Sequence, residues 1–316
     1  MSNIRRQMVK FWRRQITARL KTGPYRFLIH RWKYISDIDV AIGALESQFY
    51  DSQLVSQPLP IDQFESFLVL APHQDDEAIG AGGTLLLAKE AGADLHILFV
   101  TDGRSKGAVP YASSPDEVVQ IRNREADQVG EILGAKIHHM GINNAKPEPS
   151  VGDLDQLFGR IKDISPKVML VPWLLDTPKH RLVNHLLYLT DRCHSLPDCE
   201  IWGYQVHNSL IPNGYVDITE VADGKRKLME CYTSQNQHVK RFDHIAMGMA
   251  IWNCRFLPDY KADPVARYVE VFCALPLREH LRLIEKFYLP DIEATYRGIS
   301  IAKGMKQIHK AVMELR

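Results

Sequence analysis

The chain has 316 residues, 45% hydrophobic and 24% charged, with a formal net charge of +1 at pH 7, the proportions of a soluble enzyme with a well-filled core. No apolar run approaches the ~20 residues that cross a bilayer, and the N-terminus lacks the apolar middle and small-residue cleavage site of a secretory signal, so an intracellular, cytoplasmic protein is expected. The five cysteines are odd in number and show no CxxC spacing, which argues against a disulfide framework and against a thiolate zinc site.

In chain order, the first feature is a basic arm. Ten of the 39 Lys and Arg residues fall between Met1 and Lys33, with none of the 38 Asp and Glu. Within it, Ile4, Met8, Phe11, Trp12, Ile16 and Leu20 stand at largely helical spacing, which suits either a helix docked on the body or one lying on an anionic membrane surface. After an irregular lead-in, strand-length apolar runs are predicted at Phe67–Ala71, Leu95–Thr101, Lys136–Gly141, Val168–Pro172 and Ile201–Val206. Helices are predicted between them at Glu77–Ala91, Pro115–Leu133, Asp153–Ile164 and His180–His194. In "SPDE", Ser114 can cap the second helix, Pro115 suits its first position and Glu117 can close a capping box. Such alternation argues for right-handed βαβ crossovers and a mainly parallel, Rossmann-like α/β sheet with helices on both faces, where ligands bind beyond the carboxyl ends of the strands. A strand at "GYVDIT", a helix over Asp223–Ser234 and a helical, basic end from Glu279 to Arg316 complete the pattern. The expected organisation is a basic arm and lead-in (1–60), an α/β domain (61–275) and a helical C-terminal extension (276–316).

The stretch "FLVLAPHQDDEAIGAGG" sets His73, Asp75, Asp76 and Glu77 at the carboxyl end of the first core strand. Acids favour a helix N-terminus, but three adjacent carboxylates repel one another unless a cation offsets them. The glycines that follow would suit a phosphate loop, yet carboxylates rather than bare amides would face the anion. A metal fits better: His73 and Asp76, three apart, can face one ion while Asp75 points elsewhere. Nitrogen and carboxylate ligation suits zinc with three protein ligands and one open position. The third ligand should come from another strand end, where "LLDTPKHRLVNHLL" offers His180 and His185, with His180 better placed in the loop before the helix. His96, His138 and His139, in or beside strands, read as packed or solvated side chains.

"APHQDDEAIGAGG" resembles the "AHPDDE" signature of the PIG-L/LmbE-like family of zinc-dependent N-acetyl-sugar deacetylases. "TDGR" (Thr101–Arg104), "IRNREADQVGEILG" (Ile121–Gly134), "YVDIT" (Tyr215–Thr219), "KRKLMECYTSQ" (Lys225–Gln235) and "YVEVF" (Tyr268–Phe272) follow in the family's order. The resemblance spans about Phe67 to Phe272. It implies a zinc hydrolase in which His73, Asp76 and His180 hold Zn(2+), Asp75 is the general base, and the substrate is an N-acetylated sugar or glycoconjugate. Glu77, Asp102, Arg104, His185 and His207 are auxiliary or substrate-binding candidates. Two departures stand out where "TPKHR" replaces "HPDHR": Thr177 occupies the position of the family's electrophilic histidine, and Lys179 that of its aspartate. His185 or His207 could supply the missing imidazole. The alternative is a family member that keeps its metal but has lost turnover and acts as a binding or structural protein. No nucleic-acid partner is expected, because no recognition motif accompanies the arm. The arm remains a candidate for peripheral contact with an anionic membrane on the cytoplasmic face.

Overall fold

In the computed structural model, residues 48–49, 55–105, 108–236, 241–259, 267–296 and 301–314 are described; the basic arm lies outside them. The apolar runs become β1 (Gln57–Pro58), β2 (Ser66–Ala71), β3 (Asp94–Thr101), β4 (Lys136–Ile142), β5 (Val168–Pro172), β6 (Glu200–Tyr204), β7 (Gly214–Asp217) and β8 (Val269–Pro276). They join one sheet in the order β1-β7-β8-β6-β5-β2-β3-β4. The neighbours from β6 to β4 all run parallel, whereas β8 is antiparallel to both β6 and β7. The main helices are α1 (Asp76–Glu90), α2 (Pro115–Leu133), α3 (Val151–Ile164), α4 (Pro178–His194), α5 (Ala222–Cys231), α6 (Phe242–Trp252), α7 (Leu277–Phe287) and α8 (Ile301–Glu314).

Strand β2 is buried on both faces, which is why it reads as a continuous apolar run rather than an alternating one. Phe67, Val69 and Ala71 pack with Leu85 of α1, Val129 of α2, Leu228 of α5 and Ala250 of α6. Leu68 and Leu70 enter the opposite core with Leu157 of α3, Leu186 of α4, Ile284 of α7 and Met305 of α8. The C-terminal helices therefore share a core with the α/β body. Among the described residues, no helix is long and apolar enough to cross a membrane.

Local chemistry sets the helix ends. Ser114 accepts the Glu117 amide at 3.1 Å, but the Glu117 carboxylate turns to the amide and hydroxyl of Ser113 instead of completing a box with Ser114. Helix α4 starts at Pro178, so His180 lies in its first turn rather than in the preceding loop. The glycines after the acids bring α1 close to its neighbours. A Cβ at Gly80 would come within 2.3 Å of the Tyr204 ring, and one at Gly83 within 2.7 Å of Ile218.

A buried ion pair ties α1 to the antiparallel strand. Lys225 Nζ donates to Glu270 Oε1 (2.5 Å) and to the Ile79 carbonyl (2.7 Å). Glu270 also accepts from the Gly83 and Thr84 amides and the Thr84 hydroxyl. Fully satisfied, this pair is tolerated in the core; with one partner removed, a buried charge costs ~3–5 kcal/mol.

Strands β2 and β5 are neighbours whose successors diverge, β3 to one side and β6 to the other. Their carboxyl ends flank the crevice that such a reversal of strand order opens.

Candidate active site and metal centre

Both sides of that crevice carry the acid–histidine segments. Beyond β2 the chain turns through His73 to Asp76, where the Asp76 Oδ2 accepts the His73 amide at 2.9 Å and lies 3.1 Å from its ring Nδ1. From the first turn of α4, His180 Nε2 comes within 3.4 Å of the same oxygen. One ligand atom from each of His73, Asp76 and His180 falls within 4.8 Å of the others.

The outer contacts orient these side chains. His73 Nε2 is 3.0 Å from Asn144 Oδ1, and the Asn144 amide donates to Asp102 Oδ1 at 3.0 Å. His180 Nδ1 faces Asp176 Oδ2 at 3.6 Å. Asp176 is itself fully buried and accepts the Thr177 and His207 amides. A carboxylate behind an imidazole in this way directs the other ring nitrogen forward.

The residues fit a divalent cation on charge as well as donor type. Burial alone would lower the His180 pKa, but Asp76 and Asp176 outweigh it and raise it to about 9. Burial would raise Asp76, yet His180 and His73 hold it below the ordinary carboxylate range. Positive charge is thus favoured at the focus of two imidazoles and a carboxylate, a donor set that suits a divalent metal ion.

Asp75 stands apart from the three. Its φ of 136° lies where an L-residue is strained, a conformation that costs ~1–3 kcal/mol and concentrates at functional positions. Its amide donates to Glu77 Oε2 at 3.1 Å, and its Oδ1 pairs with Arg122 at 3.2 Å. Arg122 also donates to the Gln74 and Gly103 carbonyls. Burial pushes the Asp75 carboxyl up to about 8 even with Arg122 beside it.

The auxiliary candidates separate spatially. Glu77 is fully buried and accepts the Tyr232 hydroxyl, so it backs the Asp75 turn from within; burial raises it to about 7 against that bond. Asp102 accepts the Arg104 amide and Nε, and Arg104 also reaches Asp116 at 3.4 Å. This pair shapes the loop behind Asn144. The His207 ring lies 4.7 Å from that of His180. His185, by contrast, is not brought to the cluster: it is fully buried, with Nδ1 3.0 Å from the Tyr296 hydroxyl. His96 pairs with His138 at 3.0 Å, close to the opposite end of β3 from the crevice.

Sequence reasoning missed Arg122, Asn144 and the orienting role of Asp176. For Arg122 a signal existed. Val118, Arg122, Glu125 and Val129 follow helical spacing and are all buried, so two charges interrupt an apolar stripe. Asn144 follows the end of β4 with no pattern to distinguish it from Asn143.

Comparison with known proteins agrees with this architecture. Residues 68–189 match the PIG-L family, described as GlcNAc-PI de-N-acetylase. The chain is 28% identical over 193 residues to the diacetylchitobiose deacetylase of Thermococcus kodakarensis, an alignment covering 56% of this chain and 72% of that protein. Among solved structures, the N,N'-diacetylchitobiose deacetylase from Pyrococcus horikoshii superposes with a TM-score of 0.56 at 22% identity, covering 68% of this chain and 85% of that one. The 4-carboxy-2-hydroxymuconate hydratase from Pseudomonas putida gives 0.58 at 20% identity, covering 67% and 96%. The fold and the His73–Asp76–His180 cluster at its switch point define a Rossmann-like α/β protein with a candidate metal centre.

Proposed function

We propose that the chain is a zinc-dependent hydrolase that removes the N-acetyl group from an N-acetylated sugar or glycoconjugate. The observation that supports this best is the convergence of His73, Asp76 and His180 on one point, with the strained Asp75 carboxylate beside it. The family description and the deacetylase relative agree with it.

In this reading His73, Asp76 and His180 hold the ion, which when bound lowers the pKa of a water toward ~7 and polarises the acyl carbonyl. Asp75 takes the proton as the water oxygen attacks the acetyl carbon. It returns that proton to the nitrogen as the C–N bond breaks, releasing acetate and a free amine. Arg122 occupies Asp75 Oδ1, leaving Oδ2 for the water. Glu77 and Tyr232 hold the turn beneath. Of the two imidazoles that could replace the one absent at Thr177, His207 is the one whose ring lies beside His180.

The test is metal analysis of purified protein combined with acetate release from a panel of N-acetylglucosamine derivatives. Stoichiometric zinc with acetate release supports the enzyme. Thr177 gives weight to a second reading, a metal-holding binding protein, and full zinc occupancy without release from any panel member would select it.

A further inference from the structure

The carboxylates around the crevice already have partners. Asp75 has Arg122, Asp76 has His73 and His180, and Asp102 has Arg104 and the Asn144 amide. Among the described residues nearby, Arg104 is neutralised by Asp102 and Asp116. Lys179 is not. Half-buried in the first turn of α4, its ammonium meets only the carbonyl and Oδ1 of Asn144, at the long distances of 3.4 and 3.5 Å. Among the described residues it makes no ion pair.

That same Asn144 Oδ1 lies 3.0 Å from His73 Nε2. The spare positive charge is therefore one hydrogen-bond link from the metal cluster, immediately beside His180 in sequence. A lysine on a flexible stem acts as a point charge suited to phosphate and carboxylate oxygens. Partial burial removes some of the water that would otherwise satisfy it. We infer that the site takes a substrate bearing an oxyanion, phosphate or carboxylate, near its N-acyl group, and that Lys179 binds that oxyanion. This rests on the reading of the His73–Asp76–His180 cluster as the place where substrate reacts.

Binding decides it, independently of turnover. Zinc-loaded full-length protein is titrated by calorimetry with N-acetylglucosamine, its 1-phosphate and 6-phosphate, and N-acetylmuramic acid, using wild type, Lys179→Gln and Lys179→Arg. Wild type should bind at least one anionic sugar ~10-fold or more tighter than the neutral one, as expected for a charge-assisted contact. The tighter ligand distinguishes phosphate from carboxylate. Lys179→Gln should lose that preference while binding the neutral sugar as before and retaining its zinc, and Lys179→Arg should restore most of it. Equal preference in wild type and Lys179→Gln, no anion preference in wild type, or no binding of any sugar overturns the inference. Loss of zinc in Lys179→Gln would also overturn it, assigning the residue to support of Asn144 and His73. A Lys179-dependent preference without acetate release would uphold the oxyanion subsite and reject deacetylation.

Discussion

At the scale of single residues, three adjacent carboxylates acquire different tasks from small differences in direction. Asp76 faces two imidazoles, Glu77 faces Tyr232 inside the fold, and Asp75 is turned by its positive φ toward Arg122. Asp75→Asn keeps the shape of the turn but removes the proposed base. It is expected to reduce acetate release by ~10²-fold or more while zinc content, measured by atomic absorption, stays at the wild-type level. Asp76→Ala should instead lose the metal. Equal metal loss in both variants would refute this division of roles. The two histidines once equally eligible for the Thr177 vacancy should also separate. His207→Gln is expected to lower kcat by ~10-fold or more with the fold intact, because the ring lies against His180. His185→Gln should leave kcat near wild type and shift the thermal midpoint, since its ring contacts Tyr296 and Tyr288 rather than the cluster. The opposite pattern would place the missing group on α4.

At the scale of elements, the local signals were legible where they act within one turn or one strand. Ser114 and Gly134 bound α2 as capping chemistry requires, and the continuous apolar run of β2 announced a strand buried on both faces. The glycines of α1 were less transparent. Their value depends on what crosses α1 in space. Gly80→Ala drives a methyl group into the Tyr204 ring and should destabilise by ~1–3 kcal/mol, as overpacking does. Gly159→Ala in α3 meets nothing within 4 Å and should stabilise by ~0.5–1 kcal/mol through helix propensity. Urea unfolding of the two variants side by side checks both signs, and stabilisation by Gly80→Ala would show that α1 does not sit against β6 as described.

At the scale of the whole molecule, the C-terminal helices close the second core and bury titratable groups that acid must reach. Burial lowers His185 and His280 from an ordinary value of 6.5 to about 3. His280 Nε2 is 2.8 Å from Asn184 Oδ1, and Asn184 in turn donates to the Pro172 carbonyl at the end of β5. Between these pKa values the unfolded chain binds protons that the folded one refuses, so stability falls as pH drops below about 6.5 and is unaffected by these groups above it. Each such histidine should cost up to ~2 kcal/mol between pH 6.5 and 5. Chemical denaturation at pH 7 and pH 5 should show this loss, and His280→Gln should remove about half of the part due to His185 and His280. An unchanged pH dependence in that variant would mean His280 titrates normally and that α7 does not seal it from water.

What the sequence determined by itself follows from interactions of short range along the chain. Strand runs, helix caps and the alternation of the two were readable because backbone periodicity and capping operate within a few residues, and they led to a mainly parallel α/β sheet. His73 and Asp76 were legible as a pair for the same reason, three residues apart at a strand end. Their convergence with His180 required β2 and β5 to become neighbours, although chain position had already pointed to that histidine. Tertiary structure alone separated His207 from His185, since one ring lies tilted beside His180 and the other stacks on Tyr296. It also decided that Asn144 from the β4 loop joins His73 to Lys179. It placed β8 antiparallel between β6 and β7, with Glu270 beneath α1. These contacts join residues 27 to 187 positions apart, and no local pattern encodes which distant side chain the folded sheet will bring into contact.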